Sequence, residues 1–386
     1  ERHGKPLQII IIDITAAFDS LDQNTVRQVM LKQGYPEIYV EAVSRITDKG
    51  TAQIKNGKEV GKEVEIKSGS GQGDPLSSPK YVTGTDPSIR AVENVTREYR
   101  YKFNNGKKLP PNGFADDNAL CTQVTEARQV KEIFQVYEDY GKVAGVRVNE
   151  RKSEILAINT PIELINEIQK ETGIRVVTKM RYLGIQLIGN YEESKIESYE
   201  NIKSKIESKI TRIQKRNITM FHKRRLINVG IIPMFNHIAM VFGEYEKFTE
   251  WISKKMTETL WYKKRDGEVV RGRNLIAKKR LTASFDLGGL QMIDVKSMAE
   301  GLLLNYVQKN INDECDLFYW ELQTIGIYDL KTELDNTGPR KWRERAARVK
   351  VHSTFMSKVL YSVANLLECN EKSKEGWFKA AIIGHS

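Results

Sequence analysis

The run Leu7-Gln8-Ile9-Ile10-Ile11-Ile12, cut off by Asp13, constrains this chain more than any other feature. Isoleucine, branched at Cβ, favours extended backbone, and an apolar run without alternation needs cover on both faces, so the segment predicts a buried central strand. A carboxylate then stands at the strand's C-terminal tip. The rest of the chain must supply sheet neighbours and covering helices; with 386 residues, 40% of them hydrophobic, it is long enough for two or three domains. Its longest apolar run, Ile9 to Ile12, is far short of the roughly 20 residues of a membrane span, so no membrane partner is expected. Cys121, Cys315 and Cys369 lie far apart without a Cys-x-x-Cys pair, which argues against a disulfide framework or a structural zinc site and fits a reducing compartment. The strand pattern starts within the first few residues with no secretory or transit segment, and reads as a piece of a longer product.

Along the chain, Asp22 or Asn24 can cap a helix carrying Val26, Val29 and Met30 and stopped by Gly34 and Pro36. A second helix covers Ile38 to Ile46. Ala52 to Ile54 and Val60 to Ile66 flank Asn56-Gly57, the signature of a hairpin with a type I′ turn. A Gly/Ser-rich loop, Ser68 to Gly73, leads to Pro75, which suits the first turn of a helix. Phe114 to Leu120 reads as strand-turn-strand around Asp116-Asp117. An amphipathic helix from about Glu126 presents Val130, Ile133, Phe134 and Tyr137 on one face and ends before Gly145. Ile155 to Ile158 and Tyr182 to Leu187 read as further strands. The class is therefore α+β with mixed strand pairing.

Beyond Gly189 the pattern turns helical. Ile196, Tyr199, Ile202, Ile206, Ile210 and Ile213 form one stripe that leaves Lys203, Lys205, Lys209 and Arg212 outside it. This places a boundary near 190, with a basic helical segment at 191–295 and a helical C-terminal segment at 296–386. The formal net charge is +11, and Lys195 to Arg280 alone holds 21 Lys/Arg against 9 Asp/Glu, so the rest of the chain is close to neutral. Runs such as Lys223-Arg224-Arg225 and Lys263-Lys264-Arg265 interleave with Phe221, Trp251, Trp261 and Tyr262, as a surface tracking a phosphate backbone requires. The plainer reading is a solvated helical face.

Three carboxylates close together would repel by roughly 4 kcal/mol per pair at 4 Å and an effective dielectric near 20, unless one is protonated or cations bind. Taken alone, Asp116-Asp117 makes nothing more than an Asx-type turn. The surrounding residues change that reading. Asp13-Ile14-Thr15-Ala16-Ala17-Phe18-Asp19, Gly71-Gln72-Gly73-Asp74-Pro75-Leu76-Ser77, Phe114-Ala115-Asp116-Asp117, Gly145 to Ser153 and Tyr182-Leu183-Gly184 resemble, in order and spacing, the successive palm motifs of reverse transcriptases. The nearest likeness is to the enzymes of retrotransposons lacking long terminal repeats (LINE type), helped by Phe285-Asp286-Leu287-Gly288-Gly289-Leu290, which is similar to a segment beyond their thumbs.

The resemblance implies a polymerase palm over 1–190 and a thumb over 191–295. It implies an RNA-directed DNA polymerase that joins a primer 3′-hydroxyl to the α-phosphate of a deoxynucleoside triphosphate. Asp13, Asp116 and Asp117, with the backbone carbonyl of Ile14, would hold two Mg²⁺ ions, with Mn²⁺ as the alternative. Phe18 would be the aromatic gate against a 2′-hydroxyl, and Gln72 and Gly73 would lie beside the nucleotide. Lys152 would neutralise or protonate departing pyrophosphate. Tyr182, Leu183 and Gly184 would form the primer-gripping turn, and Lys203, Lys209, Lys223, Arg224 and Arg225 would touch the backbone of the template and primer. The partners implied are an RNA template, a DNA primer and deoxynucleotides, within an intracellular, nuclear or cytoplasmic ribonucleoprotein. Two features depart from the pattern. Few residues precede Asp13, so the fingers motifs are not in this sequence, and Lys80 to Thr85 is more polar than the apolar helix expected there. Competing readings are a catalytically silent nucleic-acid-binding scaffold and an RNA-dependent RNA polymerase, the latter disfavoured by Phe18.

Overall fold

The computed structural model describes residues 4–48, 50–71, 73–103, 106–114, 116–265, 268–274, 276–313, 322, 327, 334, 337–350 and 354–373. It divides into two compact units: Glu1–Leu183 with Leu187–Tyr191, and Gly184–Gln186 with Glu192–Ser386.

In the first unit β1 (Leu7–Ile12) is the middle strand of five, in the order β5 (Asn112–Phe114), β6 (Asp117–Thr122), β1, β8 (Glu154–Ile158), β9 (Arg175–Val177). It runs antiparallel to both neighbours, whereas β8 and β9 are parallel and joined through α6 (Ile162–Thr172). Neither α6 nor β9 was expected from the sequence. As its composition requires, β1 is covered on both faces. Ile10 and Ile12 pack into the main core with Val26, Tyr81, Val130 and Ile133, while Ile11 meets Leu156 and Met180 on the other side.

The helices of this unit are α1 (Ala17–Ser20), α2 (Gln23–Lys32), α3 (Glu37–Thr47), α4 (Ser77–Val95) and α5 (Ala127–Ala144). Asp22 caps α2 by accepting from the Thr25 N–H at 2.7 Å. Glu126 and Gln129 form a capping box on α5, and Gly145 ends it at φ 77°. The expected hairpin is present as β3 (Thr51–Asn56) and β4 (Glu59–Glu65), but its turn centres on Gly57-Lys58. Gly57 at φ 62° is the one positive-φ residue there, the II′ pattern rather than I′. Pro75 also falls outside a helix, since α4 starts at Ser77 with Leu76 as its cap residue. The Asp74 carboxylate accepts the Leu76 N–H instead and turns the chain.

The polar stretch in α4 is helical with several of its polar groups paired. Lys80 is buried and ion-pairs with Asp48 at 2.7 Å, and the Thr85 and Ser88 hydroxyls return to carbonyls of their own helix. Gly84 lets α4 approach Leu21 and Val26, which a Cβ would meet at 2.9 Å, and Tyr140 donates to its carbonyl. Tyr182 to Leu187 is not a single strand: β10 (Lys179–Tyr182) and β11 (Ile185–Ile188) are joined by Leu183 and Gly184, both at positive φ.

The second unit is helical: α7 (Tyr191–Gln214), α8 (Met220–Gly230), α9 (Pro233–Phe242), α10 (Glu246–Leu260), the hairpin β12 (Tyr262–Arg265) and β13 (Glu268–Arg271), α11 (Lys278–Thr282), α12 (Val295–Asp313), α13 (Pro339–Val349) and α14 (Thr354–Ser373). Tyr199, Ile206, Ile210 and Ile213 of the α7 stripe are buried, but Ile196 is 40% exposed; Ser194, Lys195 and Ser198 take the buried face of the first turns. The segment after 295 belongs to this unit rather than standing apart. Lys358 of α14 donates to the Phe242 carbonyl at 2.7 Å, closing the C-terminal end of α9, where free carbonyls favour a cation. Among the described residues no single helix is long and apolar enough to cross a membrane; the bent pair α8–α9 reaches the length, with Ile227, Phe235, Ile238 and Phe242 buried inside the unit.

Candidate active site

The β1–β6 register, in which Ile12 faces Asn118, makes the next positions Asp13 and Asp117. Facing residues of an antiparallel pair project to the same side with Cβ atoms about 5 Å apart, so the register carried one pair further points the two carboxylates to the same side, and the charge of Asp13 acts on Asp117. Asp116 lies in the adjoining turn between β5 and β6. The carboxyl of Asp117 is pushed above the usual aspartate range, first by desolvation and then by the charges of Asp116 and Asp13. A strand followed by one acid and a turn that carries Asp116 into Asp117 at the start of β6 therefore approach each other from opposite ends of a long stretch of sequence.

The backbone around Asp13 is fixed by the segment that carries Lys152. The Asn149 N–H donates to the Asp13 carbonyl at 2.8 Å, and the Asp13 N–H donates to the buried Ser153 hydroxyl at 3.2 Å. That hydroxyl donates in turn to the Asn149 carbonyl at 2.9 Å. Ser153 lay within the motif quoted above without being singled out; its buried hydroxyl between two backbone groups is the signal. Lys152 sits on this loop with its Nζ 4.0 Å from Asp13 Oδ2 and is largely exposed. The Ile14 carbonyl is oriented by the short pair β2 (Ile14–Thr15) and β7 (Arg147–Val148). Hydrogen-bonded and non-bonded pairs alternate along an antiparallel ladder. Because Asn149 donates to Asp13, the Ile14–Val148 pair is a non-bonded one, and the Ile14 carbonyl turns away from β7.

Phe18 leaves this ladder through Ala16, held at φ 48°, a left-handed conformation costly for a residue with a Cβ. The Gly/Ser loop clamps the same place. Ser70 N–H donates to the Phe18 carbonyl at 2.8 Å, and a Cβ on Gly69 would stand 2.5 Å from that oxygen. Gly69 is therefore required by contact, whereas Gly73, at φ 94°, is required by conformation and borders open space. Gln72 lies outside the described residues. Tyr81, on α4 and not anticipated from the sequence, packs its ring 4.7 Å from that of Phe18.

The donors present suit a hard cation that prefers oxygen: carboxylates and one backbone carbonyl, without sulfur or imidazole. They are not gathered into a finished cage. Among the described residues no three His, Cys, Asp or Glu side chains stand together so as to hold one ion. Tyr182, before the β10–β11 turn, donates to the Asp117 carbonyl at 3.4 Å, which ties that turn's leading strand to the acid hairpin.

The basic residues of the second unit divide into two sets. Arg225 and Lys209 are exposed, and Lys203 ion-pairs with Glu200 while lying 5.3 Å from the centre of the Trp251 ring. Arg224 lies 4.8 Å from the Phe285 ring, beside the exposed Phe221. Lys223 is not a surface contact. It is 3% exposed, its ammonium donates to the Tyr262 carbonyl, and burial followed by the charge of Lys263 lowers its pKa. It opens the basic run Lys223-Arg224-Arg225 and so reads in the sequence as a backbone contact, but its side chain turns inward to the start of the β12–β13 hairpin at Tyr262. Phe285-Asp286-Leu287-Gly288-Gly289-Leu290 forms a tight turn in which Leu290 is buried and a Cβ on Gly289 would lie 2.1 Å from the Ala283 carbonyl oxygen.

Residues 1–187 match a family model described as reverse transcriptase (RNA-dependent DNA polymerase). The chain is 25% identical over 166 residues to the retrovirus-related Pol polyprotein from type-1 retrotransposable element R2 of Bradysia coprophila, a match covering 41% of this chain and 17% of that one. The chain thus spans less than a fifth of that relative. Among solved structures, telomerase from Candida albicans in complex with a fragment of telomeric RNA is similar at a TM-score of 0.39 and 12% identity, over 80% of this chain and 47% of that one. Apo telomerase from Candida tropicalis is similar at a TM-score of 0.35 and 14% identity, over 81% and 52%.

Proposed function

We propose, on the premise that residues 1–187 are a reverse-transcriptase domain of the type found in retrotransposons lacking long terminal repeats, that this chain is the core of an RNA-directed DNA polymerase extending a primer 3′-hydroxyl with deoxynucleotides. One observation carries the reading. Asp13 and Asp117 are the positions next to the last pair of the β1–β6 ladder, Asp116 adjoins them, and Asp117 holds its proton more tightly, first through desolvation and then through the charges of the other two. Such mutual repulsion disfavours the bare site and favours a cation.

Asp13, Asp116, Asp117 and the Ile14 carbonyl would hold Mg²⁺, or Mn²⁺ in its place. Bound there, the ions would supply charge stabilisation to the attacking and leaving oxygens. The chain's own groups do the remainder. Lys152, tied to Asp13 through the 149–153 loop, offers a positive charge, and a proton, to departing pyrophosphate. Phe18 bounds the sugar, and Gly73 leaves room for backbone approach beside it. The turn at Tyr182, Leu183 and Gly184 holds the primer end, while Lys203, Lys209, Arg224 and Arg225 contact the phosphates of the RNA template and DNA primer.

The absence, among the described residues, of three acidic side chains gathered on one ion favours a second reading, a nucleic-acid-binding scaffold without catalysis. Primer extension on an RNA template with deoxynucleotides and Mg²⁺ separates them. Extension is expected, falling at least about a hundredfold in Asp116→Asn, equivalent to about 2.7 kcal/mol of barrier. No extension alongside salt-sensitive duplex binding would leave the scaffold reading in its place.

A further inference from the structure

Among the described residues Tyr81 is the aromatic side chain in ring contact with Phe18, and the sequence motifs give it no role. It is 1% exposed, and its ring lies 4.7 Å from that of Phe18 with the planes inclined at 30°, an offset arrangement that aromatic pairs favour. Its hydroxyl is buried and has no hydrogen-bond partner among the described residues. Packing alone therefore fixes the ring: Tyr81 belongs to the main core with Val26 and Val92, on a helix anchored by the buried Lys80–Asp48 pair one residue away. Ser70 and Gly69 support Phe18 through its backbone, while its side chain packs against the main core, where Tyr81 supplies a ring-to-ring contact. The phenol also lies within the field of the acids, since Asp116 and Asp13 add to burial in raising its pKa.

We infer that Tyr81 is the positioning residue for sugar selection: it backs the half-buried Phe18 ring and sets how close that ring comes to C2′ of an incoming nucleotide. This rests on the polymerase reading above. A gate works by a contact of a few tenths of an ångström, so a ring free to retreat into a space left at position 81 admits a 2′-hydroxyl even though Phe18 is unchanged. The hydroxyl of Tyr81 takes no part, so phenylalanine suffices at this position.

The test measures the ratio of kcat/KM for deoxy- over ribonucleotide in primer extension, with melting curves alongside, for the unmutated chain, Tyr81→Phe, Tyr81→Leu, Phe18→Ala and the Phe18→Ala/Tyr81→Leu double variant. Tyr81→Phe should keep the ratio within about twofold and melt at the same temperature or higher, because a buried hydroxyl without a partner is removed. Tyr81→Leu should lose about tenfold in the ratio. The double variant should select no worse than Phe18→Ala alone, since residues acting through one contact are not additive. Should the leucine chain fail to melt cooperatively, Tyr81→Met, closer in volume, takes its place with the same expectation. A Tyr81→Leu ratio equal to the unmutated one while Phe18→Ala loses selection overturns this inference and leaves the polymerase reading intact, as does additivity in the double variant. No extension by the unmutated chain, or undiminished selection in Phe18→Ala, overturns the underlying reading and this one with it.

Discussion

Asp117→Asn should make the metal-free chain more stable while abolishing its response to Mg²⁺. Asp13 and Asp117 come next after the last pair of the β1–β6 ladder, and facing residues of such a ladder stand about 5 Å apart between Cβ atoms. Unit charges at that separation repel by about 3 kcal/mol at an effective dielectric of 20 and by under 1 kcal/mol in bulk water. Both side chains are partly solvated, which draws the value toward the lower limit, so removing one charge is worth about 1 kcal/mol. For a unit of this size that is a rise of about 2–4 °C in melting temperature. The sign follows from proton counting: the Asp117 carboxyl titrates higher in the folded chain than unfolded, so the native state binds more protons. Stability is full below the ordinary aspartate range and falls as pH rises through the raised value. Melting in EDTA at low ionic strength should therefore show the two chains converging at acid pH and separating, with Asp117→Asn the higher, toward neutrality. Adding Mg²⁺ should raise the unmutated chain, by mass action on the native state, and leave the variant nearly unchanged. A variant that melts below the unmutated chain at neutral pH would refute the reasoning, because Asp117 would then be stabilised by donors rather than strained by neighbouring acids.

Two further outcomes test the second unit. Gly289→Ala should destabilise it by on the order of 1–3 kcal/mol, since the new Cβ would come within 2.1 Å of the Ala283 carbonyl oxygen, and a melt matching the unmutated chain would mean the turn opens freely. Arg225→Glu should weaken duplex binding and flatten its dependence on log salt, whereas Lys223→Met should leave the salt slope unchanged; equal slopes for Arg225→Glu and the unmutated chain would remove α8 from the contact surface.

Elements whose signals are local were legible in the sequence. The β-branched run gave β1, and the cap residues gave α2 and α5. What depends on partners distant in sequence was less legible. α6 and β9 form a crossover whose strand is only three residues long, too short for periodicity to register. The apolar pattern reads Tyr182 to Leu187 as one strand, and only the motif likeness points to a turn at Tyr182-Leu183-Gly184, because Leu183 by itself gives no sign that it will adopt a positive φ. Lys80 looked out of place in a core helix until Asp48 neutralised it, and Lys223 looked like a ligand contact until Tyr262 covered it. In each case a charged or apolar side chain was assigned by its own chemistry, and its fate was decided by a neighbour that no short window of sequence contains. Tyr81 was missed for the same reason: a tyrosine on a helix is ordinary, and its relation to Phe18 exists only once α4 packs against the first ladder.

The central position of β1 also dictates when the acids can meet. Its hydrogen-bonding neighbours are β6 and β8, and Ile12 finds Asn118 only after more than a hundred intervening residues have been synthesised. Contacts of such long range form slowly, because the entropy of closing the chain must be lost before pairing returns anything. On the ribosome the first carboxylate therefore emerges well before β6 and β8, on a sticky isoleucine segment that must wait for both. Variants that weaken β6 or β8 should thus show themselves first as poor yield of folded protein, before any defect in the folded molecules can be measured.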